Sequence, residues 1–302
     1  MRNSILIVCV MLLMAYSAPA TPAPTVAAPT ATPVYLAKLG TVERDITYCQ
    51  ASGVELKLDV HYPKTMSTLA PVAVYVHGGS WSSGSKSDDF GMADAPELLS
   101  RGYLVVSVDY RLAPQWKFPA QIEDVKCAIR FLRANAARFN LDPNRIGAWG
   151  NSAGGHLVAL LGATDPSAGF EGSGGYPDQS SRIQAVVDMC GRADLRGIPA
   201  DRALSVFGAT DSNSNVLLHA SPITYISNGD APFLILHGDK DGTVPPSLSQ
   251  MLHDRLKAAG VPATLVTVKN ADHSFNPVDG VMNPTRAELS KMIADFFDQH
   301  LR

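Results

Sequence analysis

Several things are scarce in this sequence of 302 residues. Charge is one: Asp, Glu, Lys and Arg make up 18%, and 28 acidic against 25 basic residues leave a net charge of −3. Such a chain carries no basic stripe for nucleic acid. Cysteine is another, with residues only at 9, 49, 127 and 190. If the first is lost with a leader, an odd number at wide spacing remains, which is not a disulfide framework. At most one bridge is expected, and buried free thiols fit as well. No CxxC or HExxH occurs among these cysteines and the eight histidines, so no zinc pattern is present and no metal is expected. No internal repeat is found. The longest apolar run, ILIVCVMLLMAY at 5–16, falls short of the roughly 20 residues that a bilayer span requires.

That run follows Arg2 and precedes Ala18-Pro19-Ala20, a small-residue pattern of the kind cut by signal peptidase. We therefore expect a signal peptide at 1–20 and a secreted or periplasmic protein. A lipid anchor at Cys9 fits less well, because Val8 is not small and the apolar run continues beyond the cysteine. TPAPTVAAPTATP (21–33) cannot build a core, so 21–40 is expected to be a Pro/Ala/Thr-rich linker. Residues 41–302, with 46% apolar residues over the whole chain, suffice for one domain with a substantial core.

Within that domain, short apolar runs bounded by Gly, Pro or Asp recur at 54–63, 71–79, 103–110, 145–150, 183–190, 233–239 and 263–270. The second, third, fifth and sixth are apolar at consecutive positions, as strands covered on both faces should be. Helical spacing lies between them at 120–139, 153–161, 248–259 and 287–301. Strands alternating with helices predict an α/β fold, a mostly parallel central sheet with helices on both faces. In such a sheet, function gathers at the carboxyl ends of the strands.

Gly150-Asn151-Ser152-Ala153-Gly154 stands at one such end, between RIGAWG and AGGHLVALLGA. A Gly-x-Ser-x-Gly turn from strand to helix lifts a serine hydroxyl above the sheet as a nucleophile. The plain alternative is a glycine-rich turn with Ser152 as a helix N-cap. The partners distinguish the two. A serine needs a base to take its proton and a carboxylate to hold that base, and in this architecture they follow in the order Ser, acid, His. FLILHGDKDGTVP offers Asp239 and Asp241 after one strand, and VKNADHSFNP offers His273 after the next. Spacing alone does not choose between the two aspartates. For the developing oxyanion, Ala153 offers one backbone N–H, and the loop VHGGSW offers others from Gly79 and Ser80. GGSWSSGSKS also resembles a phosphate loop, but Ser85 stands where G-x-x-x-x-G-K-[ST] requires Lys.

Together HGGSW, VSVDYRLAP, the long segment from FPAQIEDVKC to GNSAGGHLVALLG, ASPITYIS, HGDKDGTVP and DHSF resemble the α/β-hydrolase esterases of the hormone-sensitive-lipase-like group, and within it the bacterial feruloyl/acetyl esterase (BD-FAE-like) branch. The resemblance covers roughly 44–302. It implies an α/β-hydrolase fold and selects Asp241 as the acid, leaving Asp239 to shape the loop. It implies structural roles for Asp109, Arg111 and Asp124, which should pair or cap turns. His77 and His237 should hold the backbone of the loops that they precede. Where many relatives read HGGG this chain has HGGSW, so Ser80 replaces a glycine. The N-terminal spacer predicts that no large cap covers the site. Trp81, Phe275, loop 169–182 and stretch 192–215 are the candidates for the substrate pocket.

The function expected is that of a secreted serine carboxylesterase acting on short-chain acyl or aromatic (acetyl/feruloyl-type) esters. Ser152, Asp241 and His273 are its catalytic residues and no cofactor is expected. A small-molecule or polysaccharide-borne ester is the expected partner, with no nucleic acid and no membrane span; oligomeric state is not legible. The alternatives are a serine exopeptidase of prolyl-oligopeptidase type, disfavoured because the chain has no room for a screening domain, and a non-catalytic binding module on the same fold.

Overall fold

The computed structural model describes Lys38, residues 40–66 and residues 69–302. The expected signal peptide and most of the expected linker lie outside these residues. Eight strands form one sheet: β1 (Val42–Ala51), β2 (Val54–His61), β3 (Ala70–Val76), β4 (Leu104–Val108), β5 (Leu141–Asn151), β6 (Ala185–Met189), β7 (Phe233–Gly238) and β8 (Ala263–Val268). Their order is β1-β2-β4-β3-β5-β6-β7-β8. From β4 to β8 every neighbouring pair is parallel, whereas β2 runs antiparallel to both β1 and β4.

The continuous apolar runs are the central strands, and β3, β4, β6 and β7 are buried at every position. Alternation divides their side chains between two layers. Val72, Val74 and Val76 of β3 face one core and Ala73 and Tyr75 the other. The first core is closed by α3 (Ala120–Ala134), α5 (Ala153–Ala163) and α8 (Pro246–Ala258), and the second by α2 (Ala95–Ser100) and α9 (Arg286–Leu301). Helix α5 is buried along its whole length, which explains an almost wholly apolar sequence with no polar face. A capping box between Thr285 and Glu288 starts α9.

The sequence reading missed β1, the antiparallel edge strand VERDITYCQA. Only one face of it meets the core, so its polar residues hide the strand period. The sign that was available is the turn to β2, where Ser52 and Gly53 have φ of 50° and 78°, both positive as a two-residue hairpin demands. The short helices α1 (Asp89–Met92), α4 (Ala136–Phe139), α6 (Ala200–Arg202) and α7 (Asn215–His219) were likewise not separately legible. The longest connection between strands, 190–232, holds only α6, a π turn at 203–207, α7 and a 3-10 turn, none longer than five residues. Among the described residues no helix is long and apolar enough to cross a membrane.

Among the described residues one disulfide forms, between Cys49 on β1 and Cys127 on α3, with Cα atoms 6.5 Å apart, while Cys190 is a buried free thiol. The bridge fastens the missed edge strand to the helix beneath it. Arg111 and Asp124 form a buried fork, with Nη2 and Nε at 2.7 and 3.0 Å from Oδ1, and Asp109 accepts the Lys86 N–H at 2.7 Å. These groups pair and cap turns, as the family pattern implies.

Candidate active site

Strand β5 ends at Asn151 and helix α5 begins at Ala153, so Ser152 makes the whole turn. Its φ and ψ of 55° and −116° are a conformation that a non-glycine residue holds only under constraint. The constraint is visible: the Ser152 N–H donates to the Met189 carbonyl at 2.8 Å, and the Ser152 carbonyl accepts from His156 N at 3.0 Å. A Cβ on Gly150 would lie 2.6 Å from the Gly154 carbonyl, and one on Gly154 would lie 2.0 Å from the Val76 oxygen. Only glycine fits on either side of the serine. The hydroxyl caps nothing in α5, so the N-cap reading has no support. It also has no hydrogen bond among the described residues, and contacts of this kind commonly tighten only when substrate is bound.

Strand β7 delivers Asp241 and strand β8 leads to His273. The His273 Nδ1 lies 2.6 Å from Asp241 Oδ2. Asp241 Oδ1 accepts the N–H groups of Thr243 and Val244 at 2.7 and 2.8 Å, and His237 Nε2 approaches Oδ2 at 3.0 Å. Burial alone would raise the Asp241 pKa, but the bonds from His237, His273 and Val244 outweigh it and hold the carboxyl far below the usual range. Asp239 is turned elsewhere and accepts the Asn270 N–H at 2.7 Å. His237 holds its loop through the Val244 carbonyl at 3.0 Å, with Ser249 at its other nitrogen. His77 meets the Gly78 carbonyl at 2.7 Å and stacks on Tyr110.

The loop after β3 turns back over the serine. Gly79, Ser80 and Trp81 have φ of 103°, 55° and 59°, and a Cβ on Gly79 would meet the Ser83 oxygen at 2.2 Å. The N–H groups of Gly79, Ser80 and Ala153 donate to no acceptor among the described residues. Free donors of this kind are what an anionic oxygen requires, and Ala153 adds the positive end of the α5 dipole.

Ser80, Trp81, Ser152 and Ala153 line one cavity of about 130 Å³, together with Thr243 and Val244, the residues whose N–H groups fix Asp241. Trp81 is mostly buried and its Nε1 donates to His156 Nδ1 at 3.0 Å, while His156 Nε2 donates to the Ala220 carbonyl at 2.8 Å. Burial pushes the His156 pKa down to about 4, so this imidazole stays neutral and braces the indole. Sequence reasoning passed over His156, although an ionisable residue inside an otherwise apolar helix is a visible sign.

Phe275 does not belong to this cavity. It is buried in the second core, stacks on Phe90, and lines a separate cavity of about 590 Å³. Loop 169–182 also lies apart, around a cavity of about 280 Å³ beside Arg130. Of stretch 192–215, four residues do line the Ser152 cavity: Arg192, Ile198, Pro199 and Arg202.

Cys190, Asp241 and His273 present ligand-type atoms within 4.8 Å of one another. The set is already committed, since Asp241 and His273 bond each other and burial raises the Cys190 pKa well above its usual value, its thiol facing the His273 carbonyl at 3.4 Å.

Known proteins share this arrangement of strands. The chain is 36% identical over 255 residues to the esterase LipC of Mycobacterium tuberculosis, covering 80% of this chain and 62% of that one. The chain spans between 51% and 62% of the length of the first three curated relatives that it matches. Among solved structures it is similar to a bifunctional GH43-CE protein of Bacteroides eggerthii, with TM-score 0.75 and 33% identity over 85% of this chain and 38% of that one. It is also similar to a truncated carbohydrate esterase from gut microbiota, with TM-score 0.71 and 29% identity over 87% and 96% of the two chains. The BD-FAE family model matches residues 58–256, a stretch that runs from β2 through the Ser152 turn to α8, and the chain belongs to that family of α/β-hydrolases.

Proposed function

We propose that this protein is a secreted serine carboxylesterase that hydrolyses short-chain acyl or aromatic esters, of acetyl or feruloyl type, through an acyl-enzyme. The observation that carries the reading is the 2.6 Å bond between His273 Nδ1 and Asp241 Oδ2, beside a cavity lined by Ser152, Ser80 and Ala153, the last two of which, like Gly79, have backbone N–H groups without acceptors among the described residues. With Nδ1–H held by the carboxylate, Nε2 of His273 is left as the base. Ser152 Oγ attacks the ester carbonyl while Nε2 takes its proton, and the N–H groups of Gly79, Ser80 and Ala153 receive the oxyanion. The tetrahedral adduct collapses, the alcohol leaves with the proton from His273, and the acyl group remains on Ser152. Water then attacks the acyl carbon while giving a proton to Nε2, and collapse of this second adduct returns that proton to Ser152 Oγ and releases the acid. Asp241 stays ionised throughout and stabilises the imidazolium.

A cavity of about 130 Å³ suits a short acyl group, and the similarity to a carbohydrate esterase supports an alcohol borne on sugar. The Cys49–Cys127 bridge supports export, because structural disulfides persist in oxidising compartments. Hydrolysis of 4-nitrophenyl acetate, methyl ferulate and a dipeptide anilide tests the reading. Turnover of an ester with none of the anilide is expected. Preferred cleavage of the anilide would point to a peptidase, and inertness toward all three to a binding module.

A further inference from the structure

Two arginines face the Ser152 cavity, and no carboxylate lines it. In a chain of net charge −3, this local excess of positive charge is not a reflection of overall composition. Arg202 is partly committed, its Nη1 donating to the Ser80 carbonyl at 3.2 Å and the Ser82 hydroxyl at 3.1 Å. It braces the loop that carries two of the free N–H groups. Arg192 is different: half-buried, it makes no hydrogen bond or ion pair with any described residue.

The acids near Arg192 are already engaged. Asp194 binds Arg196, with Oδ2 2.6 Å from Nη2, and the Asp241 side chain is fully buried against His273 and two N–H groups. Burial lowers the Arg192 pKa from its usual value, with Asp241 and Asp194 acting in the opposite sense. A guanidinium drawn partly out of water without a partner is costly, and a planar fork of donors is shaped for a carboxylate.

We propose that Arg192 is a specificity-determining residue that receives a carboxylate carried by the substrate, so that the enzyme prefers short acidic esters. The carboxylate could belong to the acyl part, as in a hemiester of a dicarboxylic acid, or to the alcohol part, as in an ester of a hydroxy or uronic acid. The inference rests on the esterase reading of Ser152.

Two matched pairs test it and separate the two sources. On the acyl side, 4-nitrophenyl hemisuccinate is compared with 4-nitrophenyl 4-oxopentanoate; on the alcohol side, 4-acetoxybenzoate with 4-acetoxybenzamide. In one pair, the wild-type protein should favour the charged ester at least tenfold in kcat/KM, mainly through KM. That preference should shrink with added salt. Arg192→Gln should abolish it and Arg192→Lys restore part of it. Equal rates within both pairs, or a preference that survives in Arg192→Gln, overturns the proposal. So does an Arg192→Gln variant in which both members of each pair change together with a shifted pH profile, because Arg192 would then act through Asp241. Calorimetry of Ser152→Ala with methyl hemisuccinate and methyl 4-oxopentanoate reads binding without turnover. Preferential binding of the charged ester, lost on adding Arg192→Gln, upholds the anion site even if no ester is hydrolysed. Hydrolysis of neutral esters alone leaves the esterase reading intact and removes this one.

Discussion

Asp239 and Asp241 leave the same strand two residues apart, yet their carboxylates serve different partners. Asp241 Oδ2 lies 2.6 Å from His273 Nδ1, whereas Asp239 Oδ1 takes the Asn270 N–H at 2.7 Å. Asp241→Asn should therefore stay folded and lose about 10⁴ in kcat, the loss that a protease triad shows on the same change. Asp239→Asn should act through the loop, costing about 1 kcal/mol and leaving most of the turnover. Steady-state rates and melting temperatures of both variants, taken under one set of conditions, check the assignment. A dead Asp239→Asn beside an active Asp241→Asn would reverse it.

Ser152 is the nucleophile of the proposed reaction, and its hydroxyl caps nothing in α5. Ser152→Ala should thus melt at or near the wild-type temperature while esterase turnover drops by about three orders of magnitude or more. Retention of a tenth of the wild-type rate would exclude Ser152 as the nucleophile.

Asp188, near the end of β6, is fully buried, with Oδ1 accepting the Gly191 N–H at 2.8 Å and Oδ2 without a partner among the described residues. Burial raises its pKa to about 6, opposed by the Gly191 N–H. An unfolded aspartate titrates near 3.9, so the folded state holds the proton more tightly. Stability from this group is present below about pH 4 and is lost as pH rises through 6. Asp188→Asn mimics the protonated form and keeps an acceptor for Gly191. Its melting temperature should exceed that of the wild type by several degrees at pH 7.5, and the gap should close at pH 4. An equal gap at both values would mean that Asp188 is not the titrating group.

The Cys49–Cys127 bridge closes a sequence separation of 78 residues. Replacing both cysteines with serine should cost roughly 2–4 kcal/mol, seen as a melting temperature lower by about 4–16 °C at 2–4 °C per kcal/mol. Added reductant should reproduce the shift in the wild-type protein and leave the double variant unchanged. The thiol Cys190 is buried and should react with a thiol reagent only on unfolding.

Much of this protein is written locally in its sequence. The runs at β3, β4, β6 and β7 are buried at every position and mostly apolar because both faces of those strands are covered, and that pattern needs no tertiary information to recognise. Gly150 and Gly154 stand beside Ser152 because a Cβ at either place would strike backbone, so the turn is legible as a motif. The order Ser152, Asp241, His273 follows from the carboxyl ends of β5, β7 and β8 in one parallel sheet. Other features were decided only by packing. The polar edge strand β1 is held by its hairpin and by a disulfide to α3, contacts that depend on elements far apart in the chain. Which aspartate meets His273 depends on how a loop folds back, and two residues of separation do not encode that. Phe275 turns into the second core while Arg192 lines the cavity that holds Ser152, although both follow strand ends. A loop side chain's direction is set by the neighbours that exclude water from it, and those neighbours are assembled only when the sheet and its two layers of helices come together.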